Sequence, residues 1–130
     1  MTRTTDLCIA LIRTHHITSR KKLQKVKKAA AHYSLPLVLV RSGGSPGIMY
    51  AEGSDEVRVS GWVNAIQGLR YKDFQCAQKP TISPVAIPPG MKDTGSVFEE
   101  VTSVADFGER MEQRGLSAWW KTGMGYESSN

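Results

Sequence analysis

Hydrophobic residues fall into two kinds of run along this chain, unbroken and helically spaced. Leu7-Cys8-Ile9-Ala10-Leu11-Ile12 and Leu37-Val38-Leu39-Val40 are unbroken, the pattern of strands buried on both faces. Ile48 to Ala51 is a third β-prone run, entered through Gly44-Ser45-Pro46-Gly47 and closed by Gly53, with turn chemistry on either side. Between the first two runs, Leu23, Val26, Ala30 and Tyr33 fall within about 80° of one another on a helical wheel. That spacing predicts a helix from about Arg20 to Tyr33, capped by Thr18 or Ser19, which Pro36 bars from continuing. Val59, Trp62, Val63, Ile66 and Leu69 follow the spacing i, i+3, i+4, i+7, i+10 and predict a second helix opened by Ser54 or Asp55. A fourth strand is expected from Asp73 to about Lys79.

The order β-α-β-β-α-β is that of the ferredoxin-like split motif, an α+β fold with two right-handed crossovers and both helices on one sheet face. The segment 80–96 holds Pro80, Pro84, Pro88, Pro89, Gly90 and Gly95 and reads as an extended surface loop. Beyond it, Val97-Phe98-Glu99-Glu100-Val101 predicts an additional C-terminal strand. Ser103 opens a helix to about Arg114 that Gly115 ends, Ala118-Trp119-Trp120 is expected to pack back on the domain, and Gly125 to Asn130 to fray. The chain therefore reads as a single domain, 1–130, with a core at about 7–79, a loop at 80–96 and an extension at 97–126.

Composition narrows the class without naming a chemistry. A length of 130 residues with 40% hydrophobic and 22% charged residues suits one globular domain. No apolar run approaches the ~20 residues of a membrane-spanning helix, and the N-terminus lacks the apolar stretch and cleavage site of a signal peptide. Cys8 and Cys76 form no CxxC and sit in strand-like runs, as buried thiols of a reducing compartment do. The expectation is a nuclear or cytoplasmic protein. Three His, two separated Cys and no clustered carboxylates give no metal site and no implied cofactor.

Charge changes the picture more. The net charge of +5 is unevenly shared: residues 1–41 hold nine Lys/Arg against Asp6 alone, while residues 42–130 hold eight against eleven acids. In the first predicted helix Lys21, Lys25 and Lys28 lie opposite the apolar face, flanked by Arg20, Lys22 and Lys27. With almost no interspersed acid, like charges at these spacings repel by a few tenths of a kcal/mol each. Such a face can neutralise RNA phosphates, with Arg13 and Arg41 on neighbouring strand ends. The plain alternatives are a solvated helix face or a targeting signal.

Set out in this way, the sequence resembles the C-terminal domain of pre-mRNA-processing factor three, and more closely the version that follows an RWD domain in RWD-domain-containing proteins. The resemblance runs through His15-His16-Ile17, Gly47-Ile48-Met49-Tyr50-Ala51-Glu52-Gly53, Trp62, Leu69-Arg70-Tyr71-Lys72, Val97-Phe98-Glu99-Glu100-Val101, Asp106-Phe107-Gly108 and Gly115-Leu116, covering about Leu7 to Tyr126. It implies a ferredoxin-like core with added C-terminal elements. In the spliceosomal member it also implies binding to paired snRNA and its adjoining single strand. The RWD domain and the long N-terminal region of those relatives do not precede the domain in this sequence, so the expectation is a domain acting by itself.

Other constellations are weaker. His15 and His16 end the first strand, where regular alternation would send them to opposite faces. One could contact phosphate or stack on a base; the bland reading packs one and exposes the other. His16-Ile17-Thr18 matches the His-x-Thr of two-histidine phosphoesterases. That chemistry needs a second His for its acid–base pair, and Lys72 to Lys79 contains none. Asp106-Phe107-Gly108 reads as a helix start with a packed Phe, and Ser42 to Gly47 as a hairpin loop, not a phosphate loop. Of Trp119 and Trp120, one is expected to fill the core; an exposed one could anchor a protein partner.

The expectation is thus a non-enzymatic RNA-binding domain that recognises structured RNA through Lys21, Lys22, Lys25, Lys28, His15, His16 and Arg41. The rival is a protein–protein interaction module that docks through its acidic body or Trp119 or Trp120.

Overall fold

The computed structural model describes residues 3–87 and 97–126 of the chain. Its elements are β1 (Arg3–Thr14), α1 (Arg20–His32), β2 (Leu37–Arg41), β3 (Gly47–Gly53), α2 (Glu56–Gln67), β4 (Gln75–Ile87), β5 (Val97–Val101), α3 (Val104–Gln113) and α4 (Ser117–Met124). The sheet order is β4-β1-β3-β2-β5. Its first four positions are the ferredoxin-like order, antiparallel throughout, and β5 adds a parallel edge beside β2. The fold is α+β and ferredoxin-like, with a C-terminal strand and two helices added.

The unbroken apolar runs are explained by what covers them. Cys8, Ala10 and Ile12 of β1, Val38 and Val40 of β2, and Met49 and Ala51 of β3 meet α1 and α2 through Leu23, Val26, Val59, Trp62 and Ile66. The alternate residues Ile9, Leu11, Leu37, Leu39, Ile48 and Tyr50 turn the other way. They meet α3 and α4 through Phe107, Met111, Trp120 and Met124. The extension therefore supplies a second hydrophobic layer, so every central strand is buried on both faces. At ~25 cal/mol per Å² of apolar area, this second layer is a main source of stability for the sheet.

Local signals set the ends of the helices. Ser19 caps α1 by accepting from the Lys22 N–H, Asp55 caps α2 by accepting from Arg58, and Ser103 caps α3 by accepting from Asp106. Gly115, at φ +73, ends the turn after α3 in the left-handed region where glycine is unstrained. The second helix stops at Gln67, so Leu69 packs from the following turn and not from the helix.

The segment 80–96 is corrected in its first half. Residues 80–87 continue β4, which pairs with β1 as far as Arg3↔Ile87. Pro80 and Pro84 misled because proline usually excludes a strand; β4 is the edge of the sheet, where a missing N–H faces outward at no cost. Register shifts between Ile9 and Ile12 of β1 further relax the pairing there. The sheet begins at Arg3, with residues 3–6 exposed, and the core reaches beyond the expected 7–79 through Val85 and Ile87 of β4. Pro88, Pro89, Gly90 and Gly95, and the end of the chain from 127, lie outside the described residues.

Candidate nucleic-acid interface

The first helix turns its apolar stripe of Leu23, Val26 and Ala30 to the sheet, which forces its lysines outward. Lys21, Lys25, Lys27 and Lys28 are exposed. Among the described residues, no carboxylate comes within ion-pair range of any of the four. The first turn contains no acid and instead carries Arg20, Lys21 and Lys22. That is the reverse of what the helix macrodipole favours at an N-terminus. Positive side chains and the positive end of the backbone dipole therefore share one surface.

Two cations of this helix are engaged. Arg20 meets the Glu100 carboxylate with both terminal nitrogens, Nη1 to Oε1 at 2.9 Å and Nη2 to Oε2 at 2.5 Å. The Ser42 hydroxyl also donates to Oε2. The Arg20 hydrogen bond holds the Glu100 carboxyl below its ordinary range, with Ser42 adding to it and burial opposing it. Lys22 Nζ donates to the Arg70 carbonyl at 3.4 Å and stands 5.0 Å from the centre of the Tyr71 ring, within cation–π reach.

That lysine brings in residues the sequence reading did not include. The turn between α2 and β4 carries Arg70 and Lys72, both exposed, and Lys22 holds it against the start of α1. The His15 N–H donates to the Lys72 carbonyl at 2.9 Å, so the same turn is fastened to the end of β1. Nearly fifty positions separate Lys22 from Arg70, and no periodicity links them. Their adjacency follows from the split motif, which brings the end of β1, the start of α1 and the start of β4 to one end of the sheet.

His15 and His16 lie past the last residue of β1, Thr14. Strand alternation therefore no longer applies, and the expectation of opposite faces is corrected. Their rings are 4.9 Å apart and tilted by 53°. His16 is exposed, whereas His15 is half-buried with Nδ1 3.6 Å from Asp73 Oδ2. His15 borders a polar cleft of about 330 Å³, whose other walls are Arg13, Thr14, Ser45, Asp73 and Gln75, with Pro46. Asp73 adopts φ 56, in the left-handed region that Asp tolerates better than most residues.

Arg41 is at the same end of the molecule but is occupied. Its Nε donates to the Thr102 carbonyl at 2.9 Å and Nη1 to the Pro46 carbonyl at 3.0 Å. It braces the β2–β3 hairpin against the segment after β5. The aromatic pair divides as expected: Trp120 is 5% exposed and stacks on Phe107, with centroids 6.1 Å apart. It is therefore enclosed and excluded as an anchor for a partner. Trp119 is half-buried, edge-on to Tyr50 at 5.9 Å. Among the described residues no group of three or more His, Cys, Asp or Glu could hold a metal ion, and no helix is long and apolar enough to cross a membrane.

The second sheet face hides a polar cluster that the sequence reading also missed. Arg114 Nη1 lies 2.9 Å from Glu52 Oε1, and the Tyr50 hydroxyl donates to the same oxygen at 2.7 Å. All three residues are buried. Burial pushes the Glu52 carboxyl up against the opposing pull of Arg114. The cluster ties the end of α3 to β3, a structural task. Its signal was a single acid inside the otherwise apolar run from Gly47 to Gly53.

No protein-family model matches the chain, and no curated protein matches it either. Among solved structures the chain is similar to the acylphosphatase from Bacillus subtilis, at 21% identity and a TM-score of 0.42, with 73% of this chain and 98% of that one covered.

Proposed function

We propose that this domain binds structured RNA, without catalysing a reaction, through the exposed face of α1 and the adjoining α2–β4 turn. The observation that carries the reading is the unneutralised first helix: Lys21, Lys25, Lys27 and Lys28 are exposed with no acid beside them among the described residues. Lys22, Arg70 and Lys72 prolong that surface. Cations grouped in this way repel one another in the free protein, and a polyanion relieves the repulsion while releasing its own counterions. An α-helix presenting ammonium groups does not fit the narrow major groove of A-form RNA. Recognition is therefore of backbone shape and of adjoining single strand, as the likeness to the spliceosomal domain also suggests.

Within this reading Lys21, Lys25 and Lys28 contact phosphates, Lys22 sets the angle of the Arg70–Lys72 turn, and His16 offers a ring to an unpaired base. Arg41 shapes the hairpin beside them. The test is binding of an RNA hairpin with a single-stranded tail by fluorescence anisotropy. The Lys21→Glu/Lys25→Glu/Lys28→Glu variant should remain folded and lose binding. Equal affinity of that variant and the parent would overturn the assignment. Recovery of a nuclease-resistant protein complex in place of RNA would favour an interaction module.

A further inference from the structure

We propose that the cleft between the end of β1 and the start of β4 is a pocket for one unpaired base of the bound RNA, selective for guanine. This rests on the RNA-binding reading above and adds a specificity that the lysine face cannot supply, because ammonium–phosphate contacts are blind to sequence.

The argument begins with the mixed character of the walls. A phosphate pocket would gather donors alone, yet this cleft holds the Asp73 carboxylate together with Arg13, His15, Thr14, Ser45 and Gln75. An acidic and a basic residue lining one space suit a neutral ligand with donors on one part of its edge and acceptors on another. Guanine is such a ligand. Its Watson–Crick edge carries two adjacent donors, N1–H and the N2 amino group, which a carboxylate accepts as a pair; no other standard base offers two neighbouring donors there. Its O6 and N7 are acceptors suited to an arginine fork. The cleft, at about 330 Å³, falls at the small end of the roughly 300–1,000 Å³ common for ligand pockets.

The two key groups are held and still have capacity to spare. Asp73 Oδ2 is 3.6 Å from His15 Nδ1, too long for a hydrogen bond. The carboxylate therefore keeps its acceptor positions for a ligand. Arg13 spends Nη1 on the Met124 carbonyl at 3.1 Å, which anchors it to the end of α4. Its remaining N–H groups stay available. The His15 N–H bond to the Lys72 carbonyl fixes the turn that carries Asp73. That turn also carries Arg70 and Lys72, so a strand lying along the basic surface passes the cleft mouth, where His15 and Pro46 can flank a base.

The experiment compares RNA hairpins of equal charge whose single-stranded tails differ only at one base: guanine, inosine, adenine, cytosine or uracil. The parent protein should bind the guanine tail about tenfold more tightly than the others. Inosine, which lacks the N2 amino group, should fall between guanine and adenine. Asp73→Asn, which tolerates the same backbone conformation, should erase the preference while leaving affinity for the uracil tail unchanged. The Lys21→Glu/Lys25→Glu/Lys28→Glu variant should weaken binding to every tail alike. Equal affinity of the parent for all five tails overturns the guanine pocket but leaves RNA binding standing. A guanine preference that survives in Asp73→Asn overturns the pocket as well. If no tail binds at all, the RNA-binding reading itself fails; titration of free guanosine against adenosine, followed by NMR at His15 and Asp73, then decides the cleft alone. Selective shifts with guanosine support it, and none with either nucleoside overturns it.

Discussion

Arg20 and Glu100 clasp each other through two hydrogen bonds, joining the first turn of α1 to the edge strand β5. Through this contact the acidic C-terminal part of the chain reaches the basic helix, and among the described residues it reaches no further along it. Strand alternation accounts for the selectivity. Glu100 and Phe98 turn to the α1 side, whereas Glu99 turns to the opposite side and lies 3.4 Å from Arg110 of α3. The lysines beyond the first turn are left open.

Glu100 yields a pH prediction with a definite sign. Its carboxyl is held below the ordinary value of 4.5, first by the Arg20 hydrogen bond. A depressed acid contributes stability that is present above that ordinary value and is lost as pH falls through the folded-state value. Glu100→Gln should therefore be less stable than the parent at neutrality, and the difference should shrink as pH falls below 4.5 and through the folded-state value. Urea unfolding across that range checks it; a difference that persists in acid contradicts it.

Tyr71 is buried with its hydroxyl unpartnered among the described residues, and burial lifts its phenol to about 12. A lone buried hydroxyl costs on the order of 1–3 kcal/mol. Tyr71→Phe keeps the ring beneath Lys22 and should be as stable as the parent or about 1 kcal/mol more stable. Because a raised phenol binds its proton more tightly in the folded state, the parent should lose stability as pH climbs from 10 towards about 12. The variant should lose less. Ultraviolet titration and alkaline unfolding read both effects.

The Glu52–Arg114 pair is enclosed, with side chains 4% and 6% exposed. Removing one partner of such a pair typically costs about 3–5 kcal/mol. Arg114→Met should destabilise by about that amount at neutral pH. The loss should shrink on acidification, because burial already raises Glu52 and a protonated carboxyl no longer needs a cation. A loss independent of pH would contradict this account of the cluster.

Gly108 of α3 lies against the buried Trp120, and a Cβ there would stand 2.8 Å from the indole ring. Alanine gains roughly 1 kcal/mol of helix propensity over glycine, but overpacking a filled core costs about 1–3 kcal/mol. Gly108→Ala should therefore lower the melting temperature despite its better propensity. A raised melting temperature would show that α4 yields freely.

Much of this architecture was legible because patterns and caps agreed. Ser19, Asp55 and Ser103 each stood before a helically spaced apolar run, and the strands of the split motif were continuous or bounded by glycine. The continuation of β4 through Pro80 and Pro84 was hidden because edge position, which excuses proline, is a property of the sheet and not of the segment. The lysine face could be read from α1 alone. The Arg70–Lys72 turn, the cleft with Asp73 and the Glu52–Arg114 cluster could not, since each joins residues from distant parts of the chain. Arg41 carried the right charge in the right region, but its hydrogen bond to Thr102 depends on a segment about sixty positions away, and only the bond to Pro46 is local.

The salt dependence of RNA affinity tests the central claim most directly. Each ammonium–phosphate contact releases counterions and adds close to one to the slope of log affinity against log salt. The parent should show a steep linear fall, and a Lys21→Gln/Lys25→Gln/Lys28→Gln variant a slope lower by about two to three. Identical slopes for the two proteins, or affinity indifferent to salt, would mean that this helix does not hold an RNA backbone.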